Sequence, residues 1–141
     1  MQFVKTGDSY LVRLEKGEEV VENLTSFVRE QGIKAGMVSG IGAAADITLG
    51  YFDPATREYH KETLPGSYEV ANISGNVSVL DGEEMLHLHA TIADTKHNAK
   101  AGHIFSGRVS VTLEVVIVPF PGVAERKMDE SIGLNLLDLA E

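Results

Sequence analysis

The apolar positions of this chain follow two periods. From Glu18 to Gln31 they fall at Val20, Val21, Leu24, Phe27 and Val28, spacings that gather on one face of a helix. Acidic Glu18 and Glu19 suit the positive start of that helix, Arg29 suits its last turn, and Gly32 supplies the stop. Elsewhere the apolar residues come in short runs, several rich in β-branched side chains and separated by Gly, Pro or Asp, which is the pattern of strands. An opening strand is read within Gln2 to Leu14, after the turn at Gly7-Asp8. Further strands are read over Ile33 to Ile41, Asp46 to Phe52, Tyr59 to Leu64, Tyr68 to Val79, Met85 to Ala93 and Val109 to Val118. The segment Ile132 to Leu137 reads as a short edge strand or as a piece that packs on a neighbouring subunit.

One early helix followed by a succession of strands predicts an α+β fold in which the helix covers a largely antiparallel sheet. A chain of 141 residues buries about two-thirds of its unfolded surface, enough for one core. There is no internal repeat, low-complexity stretch or long linker, so residues 1–141 are expected to form a single domain.

Composition narrows the chemistry. There is no cysteine, which removes disulfides and thiolates and leaves histidine and carboxylate for any transition-metal site. The opening residues lack a basic stretch followed by an apolar one, and no apolar run approaches the ~18 residues of a membrane span. The expectation is a cytoplasmic protein with no membrane contact. Twelve basic against twenty-one acidic residues give a formal charge of −9, which opposes the phosphate neutralisation on which DNA binding rests.

The strongest local signal is Leu86-His87-Leu88-His89-Ala90-Thr91. Residues two apart on a strand share a face, so His87 and His89 project together while their leucine neighbours point the other way. His103, behind Gly102 and a loop read over Asn98 to Gly102, can fold back to supply a third nitrogen. Three neutral imidazoles with one open position form the donor set of catalytic or labile zinc, and the same set suits other divalent transition metals. The plainer account makes His87 and His89 polar positions on a solvent-facing strand. His97, at an expected hairpin tip, and His60, in a strand of mixed polarity, read as surface residues.

Two carboxylates invite attention. Glu69, ahead of the apolar run Ile73 to Val79, is a candidate general base for a metal-bound water, with a salt bridge as its ordinary alternative. Glu114 stands alone in an apolar strand. The glycines of Ser39-Gly40-Ile41-Gly42-Ala43 lack the third glycine and following helix of a dinucleotide fingerprint, and are better explained by close strand packing or a bulge. No serine elbow supports covalent hydrolysis.

The order of segments resembles that of the PPC (plants and prokaryotes conserved) domain over most of the chain. The matching pieces are Val38 to Ala43, Tyr68 to Val77, Leu86 to Asp94, Ala101 to Ile104 and Val111 to Val115. The resemblance implies a sheet of about seven mainly antiparallel strands packed with one main helix, a homotrimer, and a zinc site on His87, His89 and His103. Ala101 departs from the family by replacing the first of two glycines before the last histidine. Family members are described as DNA-binding, chiefly because plant members carry AT-hooks on a separate segment; no such hook is found here.

Overall fold

The computed structural model describes residues 1–139; residues 140 and 141 of the expected domain lie outside that description. The elements run β1 (Gln2–Thr6), β2 (Ser9–Glu15), α1 (Val20–Glu30), β3 (Gly36–Asp53), β4 (Glu58–Leu80), β5 (Glu83–Ala93), β6 (Ala99–Pro119), β7 (Arg126–Asp129) and β8 (Leu134–Leu137). Six strands make one sheet in the order β1-β2-β6-β3-β4-β5, and β7 pairs β8. Because β5 also pairs with the start of β6, strands β3, β4, β5 and β6 form a closed circuit of neighbours. All these pairings are antiparallel. The α+β reading with one covering helix therefore holds, with eight strands among the described residues in place of about seven.

Several strands are longer than the punctuation implied. The opening segment is a hairpin of β1 and β2 turned at Gly7. The two strands read on either side of the glycine cluster are the single 18-residue β3, and Pro65-Gly66 does not interrupt the 23-residue β4. The reason is register. Pairing shifts between Gly40 and Gly42 and again between Ala45 and Ile47, so β3 absorbs its irregularities as bulges without leaving the sheet. Gly42 has φ 154°, and a Cβ there would stand 2.2 Å from the Thr112 carbonyl oxygen, so only glycine lets β3 approach β6 this closely.

Helix α1 buries Val20, Leu24, Phe27 and Val28. Its Glu19 cap accepts from the Glu22 N–H and, through the other oxygen, from Gly107 N–H at 2.8 Å, tying the helix start to β6. Phe27 meets Tyr10 edge-on at 5.3 Å between ring centres. Full burial of each such side chain stabilises the fold by about 1.5–3 kcal/mol. The opposing sheet face supplies Leu14, Val38, Ile73, Leu88, Ile92, Leu113 and Ile117, all below 2% exposed. On β5 the leucines and isoleucine take this face, which forces the intervening histidines onto the other.

Candidate metal centre

The strand alternation that buries Leu86, Leu88, Ala90 and Ile92 turns His87 and His89 out from the helix-covered core. Their ring centres are 5.1 Å apart. The predicted loop over Asn98 to Gly102 is instead the start of β6 from Ala99 onward, and it is this pairing that delivers the third ring: His103 is the cross-strand partner of His89. Ala101 is therefore a strand residue opposite Thr91. The His103 ring lies 5.2 Å from that of His87 and 5.6 Å from that of His89. Each of the three offers a ligand nitrogen within 4.8 Å of the others.

A tetrahedral zinc with bonds of ~2.0–2.1 Å places its nitrogens roughly 3.4 Å apart, so the rings must close by about 1.4 Å at most. Side-chain rotation covers that distance. The donor chemistry fits as well. Nδ1 of His103 is buried without a hydrogen-bond partner, an atom with a lone pair or proton and nothing to receive it. Burial, then the charges of His87, His89 and Lys61, hold the His103 pKa down at about 4. His87 is lowered in the same direction, by burial first and then by Arg126 and His89. At neutral pH these two rings are neutral, the form a metal requires.

The backbone beneath the site is tightly set. Gly75 faces Leu88 across β4 and β5, and a Cβ on it would lie 1.8 Å from the His87 carbonyl oxygen, so the close approach of the two strands under His87 depends on a missing side chain. Asn76 and Ser74 are the β4 partners of His87 and His89.

Other candidates fall elsewhere. Glu69 pairs with Ala93, four residues along β5 from His89 and so ~13 Å away, and its side chain is exposed outside the cluster. Among the described residues no salt bridge is recorded for it. His97 occupies the β5–β6 turn with φ 64°, and exposed His60 sits 3.5 Å from Asp53, so both are surface residues as expected. Glu114 is exposed beside Arg13 and Ile41 in the register of the outer sheet face.

Two cations that sequence reasoning did not single out flank the imidazoles. Arg126 of β7 places Nη2 3.4 Å from His87 Nδ1 while bonding Ser78 Oγ, Asn76 Oδ1 and the Asn135 carbonyl. Lys61 Nζ stands 3.8 Å above the Phe105 ring, which in turn packs 4.6 Å from the His103 ring. No local motif marks either one. Arg126 follows a Pro-Gly turn in polar sequence, and only the docking of β7 across β4 brings it in.

Residues 1–121 match the model of the Plants and Prokaryotes Conserved (PCC) domain, elsewhere abbreviated PPC, and the chain belongs to that family. Among solved structures it is similar to a "putative DNA binding protein" from Bacteroides thetaiotaomicron, at 33% identity and TM-score 0.94 over 97% of this chain and 96% of that one. It is similar to a metal-containing protein from Archaeoglobus fulgidus, at 35% identity and TM-score 0.88 over 96% of each chain. A plant- and prokaryote-conserved protein from Pyrococcus horikoshii gives 31% identity and TM-score 0.87 over 99% and 96%. Curated relatives include the bifunctional proteins GlmU of two Synechococcus strains; the chain is 31% identical to one of them over 114 residues, 79% of its own length and 17% of that relative's. No helix among the described residues is long and apolar enough to cross a membrane.

Proposed function

We propose that this chain is a metal-binding member of the family, with zinc or another divalent transition metal held by His87, His89 and His103. The observation that carries the reading is the convergence of three imidazole nitrogens within 4.8 Å, one ring bearing a buried nitrogen without a partner. The metal would act as a Lewis acid toward whatever fills its fourth position, a water or a small anionic ligand. The relative from Archaeoglobus fulgidus described as metal-containing supports the same reading. Metal analysis of tag-free protein tests it. One equivalent of zinc in the wild type, absent from a His87→Ala/His89→Ala double variant, is expected; metal-free protein indifferent to chelator would overturn it.

The working assembly in this proposal is a homotrimer, in a cytoplasmic setting that a chain without cysteine tolerates. Its support is the outer sheet face, where Leu11, Ile41 and Val116 are 51%, 59% and 37% exposed. A groove of about 600 Å³ runs along part of this face between β1, β2, β6 and β3. Apolar surface gathered on one sheet face is the mark of a contact. Sedimentation equilibrium should return three times the chain mass, and a monomer would refute it.

A DNA-associated role is favoured by the name of the Bacteroides relative and opposed by the charge of −9. A binding isotherm at low salt should stay at background. A salt-sensitive submicromolar complex would reverse that judgement.

A further inference from the structure

Loading the three imidazoles creates an unmet requirement beside them. In the metal-free protein His87 Nδ1 can offer its lone pair to Arg126 Nη2, 3.4 Å away. If Nδ1 takes the metal, that lone pair is spent. If Nε2 takes it, Nδ1 carries the ring proton and becomes a donor facing a donor. Either way Arg126 loses an acceptor. The guanidinium cannot swing aside freely, because Nε donates to Ser78 Oγ at 2.8 Å, Nη1 to the Asn135 carbonyl at 2.8 Å and Nη2 to Asn76 Oδ1 at 2.9 Å. Nor can it shed its charge.

Charge points the same way. Among the described residues no carboxylate joins the three imidazoles, so a divalent ion held by neutral rings keeps its full charge. Arg126 and Lys61 add two cations to its surroundings, a local reversal of sign in a chain of net charge −9. Such a site disfavours the bare ion and favours the ion together with an anion.

Resting on the metal reading, we propose that the open position takes a small carboxylate, with one oxygen toward the metal and the other accepting the released Arg126 N–H. A carboxylate has two oxygens for these two partners. Among the two cations described beside the site, the one left for the additional oxygens of a tetrahedral oxyanion is Lys61, which is engaged on the Phe105 ring. Metal and carboxylate then bind cooperatively, each tightening the other by the same factor.

Calorimetric titration of the tag-free full chain at buffered free zinc and constant ionic strength tests this, with acetate, its neutral shape-mimic acetamide, and sulfate as separate additions. Acetate should tighten zinc binding by roughly tenfold, and acetamide should leave it unchanged. In Arg126→Gln the acetate effect should fall below about twofold. Lys61→Gln, at an exposed position, should lose part of the effect. If Arg126→Gln does not fold, Arg126→Lys and Lys61→Gln decide: reduced coupling in both supports the proposal, and wild-type coupling in both overturns it. Equal coupling in Arg126→Gln and wild type, acetamide matching acetate, or sulfate exceeding acetate would each overturn it as well. Zinc that binds without coupling removes the carboxylate alone; zinc that does not bind removes the metal reading too.

Discussion

Replacing His103 by leucine should separate the cost of the metal-free site from the gain on loading it. The Nδ1 atom is buried and unpartnered, and an unsatisfied polar atom of this kind costs about 1–3 kcal/mol, toward the low end for a ring that is only half-buried. Leucine fills similar space between Tyr59 and Phe105, whose rings lie 5.5 and 4.6 Å from that of His103. In chelator, His103→Leu is therefore expected to be as stable as the wild type or more stable by up to about 1 kcal/mol. With zinc at a hundred times its dissociation constant the wild type should gain about 2.7 kcal/mol, and the variant, short of one ligand, only a small part of that. Urea unfolding at matched protein concentration, with and without zinc, measures both quantities. A variant weaker than the wild type by more than about 1 kcal/mol in chelator would show that the imidazole makes a stabilising bond in the empty site. Equal stabilisation of both proteins by zinc would remove His103 from the ligand set.

Three other outcomes follow from the same geometry. Between pH 6.5 and about 4 the unfolded chain binds a proton at residue 103 that the folded chain refuses, and His87 is shifted in the same direction. Metal-free stability should therefore be complete above pH 6.5 and fall as the pH is lowered through that window, with a shallower fall in His103→Leu, read from urea midpoints at several pH values. Gly75→Ala should cost about 1–3 kcal/mol or more and weaken zinc binding, because its methyl group must displace the His87 backbone; unchanged thermal unfolding would refute the close approach. Glu69→Gln should leave zinc affinity unchanged and stability within about 0.5 kcal/mol, and a large loss of either would return this carboxylate to the site.

What was legible in the sequence is what local periodicity encodes. The 3.6-residue spacing of Val20, Leu24, Phe27 and Val28 located the helix, and the Leu-His-Leu-His alternation located two rings on one face, because both patterns follow from backbone geometry alone. The reach of β3 and β4 was not legible. Glycine and proline punctuate a pattern whether the chain turns or merely bulges, and only the pairing partner decides which occurs at Gly42. The type of the third histidine and the family resemblance mark it, but not how it arrives: pairing of β5 with β6, and no loop, sets His103 opposite His89. Arg126 and Lys61 reach the site through contacts between distant segments, for which one sequence carries no mark.

X-ray absorption at the zinc edge on the wild-type protein, compared with His103→Leu, tests the metal centre most directly. Three imidazole nitrogens at ~2.0–2.1 Å, with imidazole outer-shell features and one further oxygen ligand, are the expected result, falling to two imidazoles in the variant. A shell built from oxygens alone, or a spectrum that the variant leaves unchanged, would contradict it.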